Sequence, residues 1–123
     1  MSAWLTWGGV ALLGAAGTWA RFSLGAVVAA RRPSAFPIGT FTVNLTGGFL
    51  LGALTGASVT GDLLLLFGTG LLGAYTTFST WMVEAQRLGE DGALRLMWLY
   101  LLGSTVAGLA ATGAGWLLGG ALG

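Results

Sequence analysis

The charges of this sequence are so few and so widely spaced that they leave little choice of fold. Only 7% of its 123 residues are charged, against roughly 25% in an ordinary soluble domain. Between them lie stretches at about 4–30, 38–58, 62–84 and 94–118, each close to the roughly 20 apolar residues that a membrane-crossing helix requires. The expected fold is therefore an all-α membrane protein of one domain, 1–123, with four transmembrane helices. The first stretch opens on Trp4 and Trp7, as an interfacial aromatic anchor does, and holds one charge, Arg21. It should end at Arg31-Arg32-Pro33, because proline disfavours helical geometry in the residue before it. No basic segment precedes it, so it reads as retained and not as a signal peptide.

The second stretch carries Gly48, Gly52 and Gly56 at intervals of four, which places them along one helical face as a packing seam. Thr40 and Asn44, also four apart, bring a line of polar groups into the same helix. A very short connection to the third stretch makes these two helices antiparallel neighbours. Gln86 to Gly92 reads as the conventional polar loop. In the fourth stretch Tyr100, Ser104, Gly108 and Thr112 recur every four residues. That stripe either lines a pathway or glues helices together through its hydroxyls.

The third stretch is the unusual one. Behind Leu63-Leu64-Leu65-Leu66-Phe67 comes Gly73-Ala74-Tyr75-Thr76-Thr77-Phe78-Ser79-Thr80, and Glu84 closes the segment. Four threonine and serine hydroxyls thus sit near the middle of the membrane, where each unsatisfied polar group costs several kcal/mol unless protein or a water-filled cavity covers it. Threonines behind a glycine suit a helix that breaks. A break frees carbonyls that coordinate cations, and the helix that resumes offers its N-terminal end to anions.

Several function classes are excluded. The chain has no cysteine, histidine or lysine, no paired carboxylates and no nucleophile with a base, so enzyme chemistry is not expected. A net charge of +1 gives no reason to expect nucleic acid as a partner. Proton-coupled transport usually needs a buried carboxylate, and the first, second and fourth stretches contain none. Passive permeation needs only a polar lining. Arg21 either snorkels to the far interface or lines a vestibule that attracts anions. Asn44 brings two amide donors, which favours an anion or water over a cation beside it.

Two motifs in order, Pro37-x-Gly39-Thr40-x-x-Val43-Asn44-x-x-Gly47 followed by Gly48-Phe49-x-x-Gly52, and Gly73-x-x-Thr76-Thr77-Phe78-Ser79-Thr80-x-x-x-Glu84, resemble the Fluc/CrcB fluoride channel family. With Arg21 and the Tyr100/Ser104 stripe, the resemblance covers all four stretches. It implies a fluoride-selective channel of a prokaryotic-type inner or plasma membrane, built as an antiparallel dual-topology dimer with two pores and a sodium ion at its centre. It further implies that backbone carbonyls of Gly73 and Thr76 hold Na+. Arg21, Thr40, Asn44, Phe78, Ser79, Thr80, Trp81, Tyr100 and Ser104 would then serve the fluoride pathway, with Glu84 toward a vestibule. The chain departs from the family pattern twice: Trp81 stands where a second phenylalanine is usual, and Gly108 where the stripe often continues with a hydroxyl.

Two rival readings are a small dual-topology multidrug or cation exporter and a non-conducting structural membrane subunit. The arginines outside the stretches bear on assembly. Arg31, Arg32, Arg87 and Arg95 all fall in the first and third connections, which by the positive-inside rule predicts outward termini. The family resemblance implies an antiparallel homodimer instead; a heterodimer with an oppositely biased paralogue is the alternative.

Overall fold

A computed structural model describes residues 1–123 as helices joined by short turns, without strands. Four helical stretches are long and apolar enough to cross a membrane: Ala3–Arg31, Ile38–Gly56, Gly61–Glu90 and Leu94–Leu122. We label them α1 (Ala3–Arg31) and α2 (Ile38–Gly56), then α3 (61–75) and α4 (Ser79–Glu90) for the two parts of the third, and α5 (Leu94–Leu122). This is an integral membrane protein whose third crossing helix is interrupted.

Local chemistry sets most of the ends. Ser2 caps α1, its hydroxyl accepting from the Leu5 amide at 3.3 Å and satisfying one of the first-turn N–H groups. α2 starts directly behind Pro37 and stops at Gly56, short of the expected Ser58. Ser58 adopts a φ of 63°, a left-handed conformation through which a right-handed helix does not continue. α3 opens with one α turn, Gly61–Leu63, runs as a π-helix over Leu64–Leu72, and closes with a second α turn, Gly73–Tyr75.

The polar segment 86–92 is not the loop its composition suggests. α4 continues through Glu90, with Gln86 Nε2 donating to Glu90 Oε1 at 3.0 Å across one turn. Polar residues mark where this helix leaves the hydrocarbon, and a helix can extend past that point into water. The turn is confined to the residues around Gly92, whose φ of 80° suits glycine.

Glycine seams join the helices. α2 and α5 run parallel, and a Cβ on Gly52 or Gly56 would strike the carbonyl of Thr112 or Trp116. Reciprocally, Gly115 and Gly119 face the carbonyls of Phe49 and Ala53. Lipid gives helices no hydrophobic reason to associate, so this close backbone approach supplies the attraction through van der Waals contact. α1 meets α3 in the same way at Gly17, and α1 crosses α2 where Gly25 and Gly39 face each other. Val43 and Tyr100 are enclosed, at 1% and 0% exposure, and both lie beside the interruption of the third helix or its polar surroundings.

Candidate functional site

The helix interruption is built by side chains that outbid the helix for its own amides. Thr76 is extended, with φ −80° and ψ 158°. The Thr77 amide donates to Asn44 Oδ1 at 2.8 Å, and Asn44 Nδ2 donates to the Thr77 carbonyl at 2.9 Å. Next, the Thr80 amide donates to Thr77 Oγ1 at 3.3 Å, and Arg21 Nε reaches the Ala74 carbonyl at 3.2 Å. With Thr77 and Thr80 turned aside, the carbonyls of Gly73 and Thr76 lose the amide donors an uninterrupted α-helix would give them. The break opens at Thr76, three residues later than the glycine suggests; Gly73 itself is helical, at φ −60° and ψ −38°. Glycine permits a break, whereas the Asn44 amide captures a particular residue.

Two cavities flank this point. The larger, about 620 Å³, is lined by Arg21, Arg32, Thr40, Thr77, Thr80 and Glu84 among others. The smaller, about 310 Å³, is lined by Asn44, Gly48, Trp81, Ser104, Gly108 and Thr112, with Thr105 and Leu109. The Asn44–Thr77 clamp therefore has one partner in each cavity. Tyr100 also joins them: its hydroxyl donates to Glu84 Oε1 at 3.2 Å, while its ring meets Trp81 at 6.5 Å. An edge contact from Phe36, 5.2 Å between centroids, holds that ring from another side.

Of the residues singled out in the sequence, Arg21, Thr40, Thr80 and Glu84 share the larger cavity and Asn44, Trp81 and Ser104 the smaller. Arg21 is turned inward onto the Ala74 carbonyl and not out along the helix. Thr40 and Asn44, read as one line, serve different cavities. Phe78 is 69% exposed and Ser79 is exposed; neither lines either of these two cavities. Thr76 spends its hydroxyl on the Leu72 carbonyl at 3.1 Å. Sequence reading missed the part played by Thr77, which acts through its main chain, and that of Arg32, which its place beside Pro33 marked only as a helix end.

The smaller cavity contains no ionised side chain, and its polar groups can all donate hydrogen bonds: an amide, an indole N–H and hydroxyls. On two of its lining residues, Trp81 Nε1 and Ser104 Oγ are buried without a hydrogen-bond partner. Donors without fixed charge, beside a cavity lined by two arginines, define a membrane protein suited to passing a small anion. The chain belongs to the family described as CrcB-like protein, Camphor Resistance (CrcB), which matches residues 9–116. It is similar to the fluoride-specific ion channel FluC 2 of Mycobacterium tuberculosis, at 51% identity over 85% of this chain and 83% of that one. It is similar also to the proteins of the same name from Haloarcula marismortui, 42% identical over 85% and 88% of the two chains, and Moorella thermoacetica, 41% identical over 96% and 99%.

Proposed function

We propose that this protein is a fluoride-selective channel of the plasma membrane, which lets fluoride leave the cytoplasm passively. The observation that carries the reading is the uncharged, donor-lined cavity of Asn44, Trp81 and Ser104 beside the interrupted helix. Fluoride is small and strongly hydrated, so a path must replace its water with hydrogen-bond donors held in place. Arg21 and Arg32 give the larger cavity a positive potential that draws anions toward the clamp. Glu84, the one carboxylate there, is engaged by the Tyr100 hydroxyl. Thr40 and Thr80 add hydroxyls to the lining of that vestibule. No carboxylate lines the smaller cavity, which favours passive flow over proton coupling. The exporter reading is not favoured, since α1 carries no embedded glutamate, and nothing in this arrangement calls for catalysis.

The smaller cavity lies open on the outside of the single chain, at a depth where lipid cannot hydrogen-bond its polar lining, so it needs a protein cover. A second copy in antiparallel orientation is the proposed cover, with an oppositely oriented paralogue as the alternative. Phe78 and Ser79, exposed on one chain, would then face the partner and the shared pathway. Aromatic edges are electropositive, so Phe78 can present its ring edge to an anion. The freed carbonyls of Gly73 and Thr76 are hard oxygen donors of the kind that suit Na+, and two pairs would meet in a dimer. A cation there would offset anion repulsion and hold the two chains together. Heavier monovalent cations should give anomalous density at these carbonyls; density only elsewhere would refute the placement.

Growth tests the proposed function. Expression in a bacterium that lacks its own fluoride exit route should restore growth in fluoride-containing medium. Failure to do so with the protein present in the membrane would contradict the reading.

A further inference from the structure

The larger cavity has one wall of a different chemistry. Phe22, Ala26 and Ala29 of α1 line it, and all three are exposed, Phe22 at 74%. They stand four and three residues apart and so share one helical face. Arg32, three residues further on, continues that line past the end of α1 and borders the same cavity. An apolar strip within the hydrocarbon that ends on an arginine has the outline of an amphiphile. We infer that this face of α1 binds an anionic phospholipid, its phosphate held by Arg32 and Ser34 and one acyl chain lying along Phe22, Ala26 and Ala29. The inference requires the membrane placement of the chain and not the fluoride reading.

The length of the strip fits one leaflet. The ten-residue step from Phe22 to Arg32 corresponds to about 15 Å of helix rise, and a leaflet supplies half of a hydrocarbon core about 30 Å thick. With its head at Arg32, the lipid therefore lays its chain over the whole strip. Arg21, the other arginine of the cavity, lies at the level of Phe22, where an acyl chain ends and not where a headgroup lies, and its Nε is committed to the Ala74 carbonyl.

The polar end of the strip fixes the class of headgroup. The one ion pair of this chain joins the Met1 ammonium to Asp62, so Arg32 has no carboxylate partner. A guanidinium matches two phosphate oxygens with parallel N–H donors. Ser34 lines the cavity beside it; its hydroxyl accepts from the Phe36 amide at 3.1 Å and keeps its own proton to donate. Glu84, the one carboxylate of the cavity, already accepts from the Tyr100 hydroxyl. A choline or ethanolamine head would bring a cation beside Arg31 and Arg32 with no free carboxylate to meet it, whereas an anionic head brings none. Seated there, the acyl chain walls the polar vestibule off from the rest of the bilayer on the α1 side.

Native mass spectrometry of the assembled protein, released from nanodiscs of phosphatidylglycerol and phosphatidylcholine in equal parts and with the same chains, reads the bound lipid. Phosphatidylglycerol should be retained in preference, and Arg32→Gln should lower its retention about fivefold, the effect of one arginine near an anionic headgroup. Ala29→Trp, which fills the strip and leaves every arginine in place, should lower it as well. Arg95→Gln, at the same end of the helices but outside this cavity, should retain the lipid like wild type. Excess soluble glycerol phosphate should not displace the lipid, because it lacks the chain. Equal retention of the two lipids, equal loss from Arg32→Gln and Arg95→Gln, full retention in Ala29→Trp, or displacement by glycerol phosphate overturns the site. The sequence has no cysteine, so the Ala26→Cys variant carries a single thiol. A disulfide between two copies of that variant would show that protein covers the strip, and would overturn the proposal too.

Discussion

Asn44 holds Thr77 with both ends of its amide, accepting from the Thr77 N–H at 2.8 Å and donating to the Thr77 carbonyl at 2.9 Å. Because amide and carbonyl face opposite partners, the orientation of the Asn44 side chain is fixed by the chemistry. One side chain thereby interrupts α3–α4 and still presents a donor to the smaller cavity.

Asn44→Asp should therefore be damaging in two ways. The carboxylate cannot donate to the Thr77 carbonyl, and it sets a negative charge on the anion path. Losing about 1–3 kcal/mol at the clamp and adding repulsion should lower fluoride flux at least about tenfold. Flux equal to wild type from purified, assembled Asn44→Asp would remove Asn44 from the pathway.

The aromatic pair separates packing from conduction. Phe78 is 69% exposed on the single chain, so Phe78→Ile should cost its fold little. It should nevertheless abolish or greatly slow fluoride flux, because the electropositive ring edge is lost. Trp81→Phe should stay active and selective over chloride while holding fluoride less tightly. Liposome flux with the assembly checked by size-exclusion chromatography measures both. Wild-type flux from an intact Phe78→Ile assembly would show that the ring edge plays no part.

How much was legible in the sequence follows from which forces are local. The four crossing helices could be read because charge spacing reports directly on the bilayer, and Pro33 and Pro37 punctuate the chain at their own positions. The Gly48/Gly52/Gly56 seam could be read because spacing of four is a property of one helix. Where α4 ends could not, since loss of hydrophobicity ends the membrane and not the helix. Nor could the π winding of Leu64–Leu72, which leaves no periodic mark. The break was expected behind Gly73 and falls at Thr76, because its position depends on Asn44, 33 residues away in the chain. The polar stripe was likewise half visible: Ser104, Gly108 and Thr112 share one cavity, but Tyr100 turns its hydroxyl to Glu84 beside the other.

Glycines divide sharply by position. Gly52→Ala places a Cβ against the Thr112 backbone carbonyl, which cannot yield without separating α2 from α5. It should destabilise the protein by about 1–3 kcal/mol, as overpacking does, and lower the yield of assembled protein or its thermal midpoint in detergent. Gly108→Ala meets no heavy atom of its own chain within 4 Å and should leave the packing of α2 against α5 as in wild type. Equal stability of the two variants would contradict the seam.

Orientation offers an independent check on assembly. Arg31 and Arg32 at the end of α1, Arg87 near the end of α4 and Arg95 at the start of α5 all belong to one end of the helices. That bias favours one orientation, whereas an antiparallel homodimer needs both. Terminal tags in cells that express only this chain should report both orientations. A single orientation would rule out the homodimer and call for an oppositely biased partner.

Fluoride release from liposomes containing the purified protein, with chloride release as the control, tests the central claim most directly. The donor-lined path beside the Asn44–Thr77 clamp predicts rapid fluoride efflux down its gradient, without a proton gradient, and chloride efflux no faster than from empty liposomes. Correctly assembled protein that releases neither ion, or both at similar rates, would contradict it.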